Sequence, residues 1–188
     1  MRDSPRRILA IDPSLTCTGW AVVAGERLIE CGRILLGRGS TARRAHTLYR
    51  RLAQICLGFS PPHYVVIEVP SGKVARRMGG IGAGLTTYGM AVGATIVAVC
   101  ASCKGGAYSV ICMDESWTRG IPKFRRQTQI AALYPGYAGG PLDPGGDMSD
   151  AIGLALYARD RLKMTNWDPT DMCHPWVTFT PGEQSYGH

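Results

Sequence analysis

The stretch Ile8 to Val23, ILAIDPSLTCTGWAVV, places one carboxylate, Asp12, at the end of an apolar run and begins a second apolar run just past Gly19. Runs of aliphatic and β-branched residues separated by a segment rich in Pro, Ser and Thr read as two strands joined by a turn. A third run, Leu28 to Leu36, follows the turn residues GER. The spacing therefore predicts an antiparallel meander over Ile8–Ile11, Gly19–Ala24 and Leu28–Leu36, with a charge at the exit of its first strand.

Outward from there the pattern changes period. STARRAHTLYRRLAQICLGF offers Ser40 or Thr41 as a helix cap, carries Ala45, Leu48, Leu52, Ile55 and Cys56 on one face, and is basic on the other. Prolines then end the helix, and Tyr64 to Val69 forms a β-rich run interrupted by Glu68, which repeats the opening motif. SGKVARRMGGIGAG reads as a Gly-rich basic loop, LTTYGMAVGATIVAVCASCK as a long, largely buried helix, and AYSVICMD as a fifth strand. A connector and a basic helix occupy ESWTRGIPKFRRQTQIAALYP, and DMSDAIGLALYARDRLK reads as a helix with Asp147 and Asp150 in its first turn. Residues 164–188 hold Pro169, Pro175 and Pro181 without periodicity and receive no element. One domain is expected over residues 1–163, followed by a C-terminal tail over 164–188.

Composition bounds the function. A chain of 188 residues with 45% hydrophobic and 19% charged residues is globular rather than disordered. Its net charge of +7 is gathered in clusters, such as Arg43, Arg44, Arg50 and Arg51, or Lys73, Arg76 and Arg77, or Arg119, Lys123, Arg125 and Arg126. Such clusters suit a polyanionic partner, and Ser14, Lys73, Arg76, Arg77, Arg119, Lys123, Arg125 and Arg126 are the candidate nucleic-acid contacts. Seven cysteines, mostly within apolar segments, point to buried thiols in a reducing compartment, and Cys100 and Cys103 lack the partners of a zinc site. No uninterrupted apolar run reaches the ~18 residues of a membrane span. A soluble, cytoplasmic protein with no membrane partner is expected.

The carboxylates carry the chemistry. Crossovers through helices make the first, fourth and fifth strands parallel, and right-handed connections set the fourth beside the first. Asp12 and Glu68 then lie at the same ends of neighbouring strands. Asp147 and Asp150, at i and i+3, share one helical face. If that helix points its N-terminus at the strand ends, four carboxylates converge. Oxygen-only ligation favours Mg²⁺ or Mn²⁺, and two such ions about 3.5–4 Å apart clamp an in-line displacement at phosphorus.

ILAIDPSLTCTGWAVV, YVVIEVPSG and GGDMSDAIGLALYARDRL resemble the three motifs of RuvC-type Holliday-junction resolvases, and Ser116-Trp117, Lys123 and Leu133-Tyr134-Pro135 resemble the further signature of the phage, poxvirus and plastid-like branch. The resemblance spans residues 7–162. It implies an α/β ribonuclease-H-like fold: a five-stranded mixed sheet, three strands antiparallel and then two parallel, flanked by helices. It implies a crossover junction endodeoxyribonuclease that cuts four-way DNA symmetrically and leaves 5′-phosphate and 3′-hydroxyl ends. By the same resemblance Asp12 bridges two metal ions per active site, Glu68 completes one site, Asp147 with Asp150 completes the other, and Lys123 serves the scissile phosphate. A homodimer packed through the long apolar helix is also implied.

The sequence departs from the family at two places: Pro70 to Lys73 stands where some relatives carry an aromatic wedge, which leaves Arg76, Arg77 or Met78 to open the junction, and a second family lysine expected near the end of the fifth strand has no match unless Arg119 serves. Two other readings use the same carboxylates or the same fold. One is a nuclease of this fold acting on flaps, other branched DNA or RNA; the other is a junction-binding protein without turnover.

Overall fold

Apolar residues occupy both faces of the first strand, so the sheet must be covered on both sides. In the computed structural model, which describes residues 5–70, 83–103, 108–137, 142–163 and 177–179, this is the case. The meander is formed by β1 (Arg7–Asp12), β2 (Cys17–Ala24) and β3 (Arg27–Leu35). Then come α1 (Thr41–Gly58), β4 (Tyr64–Glu68), α2 (Ala83–Ser102), β5 (Ser109–Met113), a single 3-10 turn (Glu115–Thr118), α3 (Lys123–Leu133) and α4 (Asp147–Lys163). Ser40 caps α1, its hydroxyl accepting the amide N–H of Arg43 at 3.3 Å.

The strand order is β3-β2-β1-β4-β5, as the crossover rules require, with β1, β4 and β5 parallel. A sixth strand, β6 (Val177–Phe179), pairs antiparallel with β5 at the sheet edge. It lies in the segment to which the sequence assigned no element; three residues are too short to show a period, and pairing with β5 supplies the order that local pattern does not.

Side-chain parity sorts the core into two layers. Leu9, Ile11, Val65 and Ile67 face α1 and α2 in one cluster with Leu48 and Leu52. Ile8, Ala10 and Val66 face the other way, into a cluster with Leu154, Ala155 and Ala158 of α4. Because strand residues alternate, Asp12 shares the face of Ala10, and Glu68 that of Val66. Both acids therefore point to the side that α4 covers.

The seat of α4 is set by a close backbone approach. A Cβ on Gly19 would overlap the carbonyl of Asp147, so only glycine lets the first turn of α4 lie against β2. Gly19 is also the register partner of Asp12. Asp143, fully buried, holds the helix start: its carboxylate accepts the amides of Met148 at 3.2 Å and Ser149 at 3.0 Å and the hydroxyl of Tyr137 at 2.6 Å. These bonds satisfy amides that a helix N-terminus leaves without partners.

The expectation that α2 is largely buried is corrected. Gly84–Ser102 is 19 residues with mean hydropathy 1.6, long and apolar enough to cross a membrane by length and composition, although no uninterrupted apolar run in the sequence is that long. Glycine and threonine interrupt the run without making it polar. Only 22% of the helix is covered. Ala91, Thr95, Ala98 and Val99 pack inward, while Leu85, Met90 and Val97 face outward.

Gly19→Ala is expected to push α4 off β2 and to cost about 2–3 kcal/mol, the upper range for overpacking a tight contact. A urea unfolding midpoint unchanged from wild type would show that the contact does not hold the helix.

Candidate active site

Asp12 ends β1 and Glu68 ends β4, one residue beyond the register pair Ile11–Ile67. Asp147 and Asp150 stand in the first turn of α4, where the positive end of the helix favours negative charge. The charges of the helix acids reach both strand acids. Asp12 is held well above the usual carboxylate range, by burial first and then by the charges of Glu68, Asp150 and Asp147, against the opposing charge of Lys123. Glu68 is raised to about 7, again by burial first; the Trp117 hydrogen bond and the charge of Arg126 oppose the rise, and the charge of Asp150 adds to it.

Two cations of the chain itself answer part of this charge. Lys123, at the start of α3, reaches Asp150 at 2.9 Å and Asp147 at 3.4 Å. Burial lowers the Lys123 ammonium, but its bond to Asp150 and the charges of Asp150, Asp147 and Asp12 outweigh that and hold it above its ordinary value. Arg126, one helical turn on, bonds Asp150 at 2.7 Å through Nη2 and at 2.9 Å through Nε. Four carboxylates against two cationic groups leave an excess of negative charge in a partly dry site, which a divalent ion would offset.

The donor set fits such an ion. Asp12, Glu68, Asp147 and Asp150 offer only carboxylate oxygens, the ligands that Mg²⁺ and Mn²⁺ take. The neighbouring thiol of Cys17 is pushed up to about 12 by burial and by its hydrogen bond to Asp147, so it remains a neutral donor. Among the described residues no three such side chains stand together closely enough to hold a metal ion as they are. Lys123 and Arg126 hold the helix acids.

The other candidates fall into four groups. Ser14 is used by its own turn: its hydroxyl lies 2.8 Å from that of Thr16, and its amide donates to Thr18 Oγ1 at 3.0 Å. Arg44 ties this turn to α1 through the carbonyl of Leu15 at 3.1 Å. Arg119 and Arg125 are exposed beyond Lys123, with Arg119 over the Tyr157 ring at 5.4 Å and Arg125 over Phe124 at 5.9 Å. Arg126 is turned inward to Asp150, with its side chain 15% exposed, rather than outward as a surface contact. Lys73, Arg76, Arg77 and Met78 lie outside the described residues.

Sequence reasoning missed two residues of the site and the role of a third. Trp117 donates its indole N–H to Glu68 Oε2 at 2.6 Å, although Ser-Trp was read only as a family signature. Asp143 caps the helix that carries both aspartates, a role the LDPGGD spacing hides because its bonds reach five and six residues ahead. Tyr88 of α2 comes near enough to Glu68 and Asp12 for their charges, after burial, to raise its hydroxyl.

Two acids at matched ends of parallel strands, with a helix delivering two more against the meander, define the ribonuclease-H-like class. No family model matches the chain. Over 70 residues it is 33% identical to the crossover junction endodeoxyribonuclease RuvC of Nitratidesulfovibrio vulgaris, which covers 35% of this chain and 42% of that protein. The chain thus matches less than half the length of that relative. Over 161 residues it is 26% identical to RuvC of Erythrobacter litoralis, covering 79% of this chain and 90% of that one. Among solved structures, T. thermophilus RuvC in complex with Holliday junction substrate superposes with a TM-score of 0.65 at 19% identity, over 85% of this chain and 96% of that one. The yeast mitochondrial Holliday junction resolvase Ydc2 follows at 0.51 and 11% identity, over 83% and 80%. The chain is similar to RuvC proteins in sequence and shares their fold, in keeping with the resemblance of its motifs.

The sign of the Glu68 shift gives a measurable consequence. A carboxylate raised from 4.5 to about 7 on folding makes the folded protein bind the extra proton, so the cation-free protein loses stability as pH rises through that window. Glu68→Gln removes the ionisable group, and without added cation at pH 8 its melting temperature is expected to exceed wild type by about 2–4 °C for each kcal/mol relieved. At pH 5 the difference shrinks. Equal melting curves at both pH values would refute the buried-charge penalty.

Proposed function

We propose that the protein is a metal-dependent endonuclease that resolves four-way DNA junctions. The observation that carries this is the placement of Asp12 and Glu68 at matched strand ends, on the face where α4 presents Asp147 and Asp150. The named relatives are crossover junction endodeoxyribonucleases, and one structural neighbour was solved on a Holliday junction, which favours that substrate over flaps or RNA.

In this reading the four carboxylates hold two Mg²⁺ or Mn²⁺ ions, with Asp12 shared. Bound divalent ions would activate the attacking water and offset charge on the leaving oxygen, giving 5′-phosphate and 3′-hydroxyl ends. The chain's own cations do the rest. Lys123, with its side chain 42% exposed, is free to exchange its carboxylate partners for a phosphate oxygen and to balance charge that develops there. Arg126 keeps Asp150 oriented from below. Exposed Arg119 and Arg125 extend the positive surface along which DNA would lie.

The reading includes a homodimer built on α2. A helix apolar on every side needs cover on every side, and one face of α2, with Leu85, Met90 and Val97, is left open beside Gly89 and Gly93. Glycines there permit close approach of a second copy, and a two-fold symmetric junction calls for two symmetric cuts.

The deciding assay incubates the protein with labelled four-way junction, linear duplex, flap and RNA hairpin in Mg²⁺ or Mn²⁺. Paired nicks in the junction are expected, and Asp12→Asn should cut at least a hundredfold more slowly while binding the junction normally. Preferential cutting of flap or RNA would transfer the reading to those substrates, and no cutting of any would end it. For the dimer, Val97→Glu is expected to halve the mass seen by light scattering; an unchanged mass would place the interface elsewhere.

A further inference from the structure

Among the described residues neither Glu68 nor Asp12 is ion-paired with Lys123 or Arg126, and the partner of Glu68 is an indole. Trp117 is carried inward by the 3-10 turn, where Asp114 caps the start by accepting the amide of Ser116 at 3.0 Å. The ring is 5% exposed. It lies on α4 at Gly153, where a Cβ would come within 2.9 Å of the ring, so the helix leaves a slot for it. On the ring sits the guanidinium of Arg126, at 5.3 Å from the centroid. The same guanidinium bonds Asp150 and the carbonyl of Ile121.

One continuous stack therefore joins two acids from different parts of the chain: Glu68, the Trp117 indole, Arg126 and Asp150. An indole has a single donor and no acceptor, so it occupies one acceptor site of the carboxylate, on Oε2, and restrains the swing of the group. Oε1 is then the oxygen with more acceptor capacity open to a cation. We propose that Trp117 is the positioning residue of Glu68, biasing a cation contact toward Oε1 and coupling the orientation of Glu68, through Arg126, to that of Asp150.

The proposal rests on the four carboxylates being cation ligands, as argued above. Groups that orient a ligand without touching the ion typically change metal affinity by about 10–100-fold when removed. Mg²⁺ demands nearly ideal octahedral geometry, and Mn²⁺ is less strict, so a loosened Glu68 should penalise Mg²⁺ more. Phenylalanine at this position keeps a flat ring for Arg126 and loses only the N–H.

The test is a cation titration. Free Mn²⁺ is followed by electron paramagnetic resonance, and Mg²⁺ by competition against it, for wild type, Trp117→Phe and Gly153→Ala; junction binding in chelator reports the fold. Trp117→Phe is expected to weaken Mn²⁺ about tenfold and Mg²⁺ more, with junction affinity unchanged. Gly153→Ala, which displaces the ring but keeps its N–H, should weaken both ions less. Equal cation affinity in Trp117→Phe and wild type would overturn the proposal. So would a parallel loss of junction binding and of both ions, the mark of a residue that only packs. If Trp117→Phe does not fold, Gly153→Ala decides by the same criterion. Wild-type protein that binds neither ion would defeat the proposed function itself, a result distinct from the others.

Discussion

Gly19 has no side chain, and the carbonyl of Asp147 occupies the place where one would be. This backbone contact fixes where α4 begins relative to the exit of β1, because Gly19 is also the partner of Asp12 across the hairpin. Everything chemical in the molecule follows from it. Shift the helix by one residue, and Asp147 and Asp150 rotate by about 100° away from the strand ends. Asp143, buried beneath the same turn, satisfies the helix amides that this seat leaves inside the protein.

Bringing acids together in that way has an electrostatic cost, and the surrounding residues show how it is met. Burial and mutual repulsion raise Asp12 and Glu68, so part of the cost is relieved by proton uptake when no cation is present. Lys123 and Arg126 relieve another part at Asp150, which is 5% exposed. The site is thus charged asymmetrically: among the described residues the helix acids are ion-paired, whereas the strand acids are not. A divalent ion would find its strongest unmet demand at Asp12 and Glu68. The phosphate of a substrate would find Lys123 at the mouth.

The sheet gives this arrangement a rigid floor. Its β1–β4 pairing is parallel and buried on both faces, between α1 and α2 on one side and α4 on the other. Since each strand's last residue continues the parity of the core, two acids are aimed the same way without any special loop. On the far side α2 turns Leu85, Met90 and Val97 outward, an exposed apolar surface.

The sequence by itself determined the order of the elements, and the crossover rules turned that order into the sheet topology, since hydrophobic period and chain direction are local or combinatorial properties. It also singled out Asp12, Glu68, Asp147 and Asp150, because acids at the ends of apolar runs break a period that is otherwise kept. Which groups touch these acids was decided only by tertiary structure. Trp117 on Glu68 joins residues 49 positions apart, and Arg126 on Asp150 joins residues 24 apart; neither leaves a periodic trace. The depth of α2 in the fold likewise could not be read from its residues, because an all-apolar helix looks the same whether its cover comes from its own chain or from another. Asp12 was visible from the start as a charge at the end of a strand; its environment required a glycine on the next strand and a helix begun more than a hundred residues later.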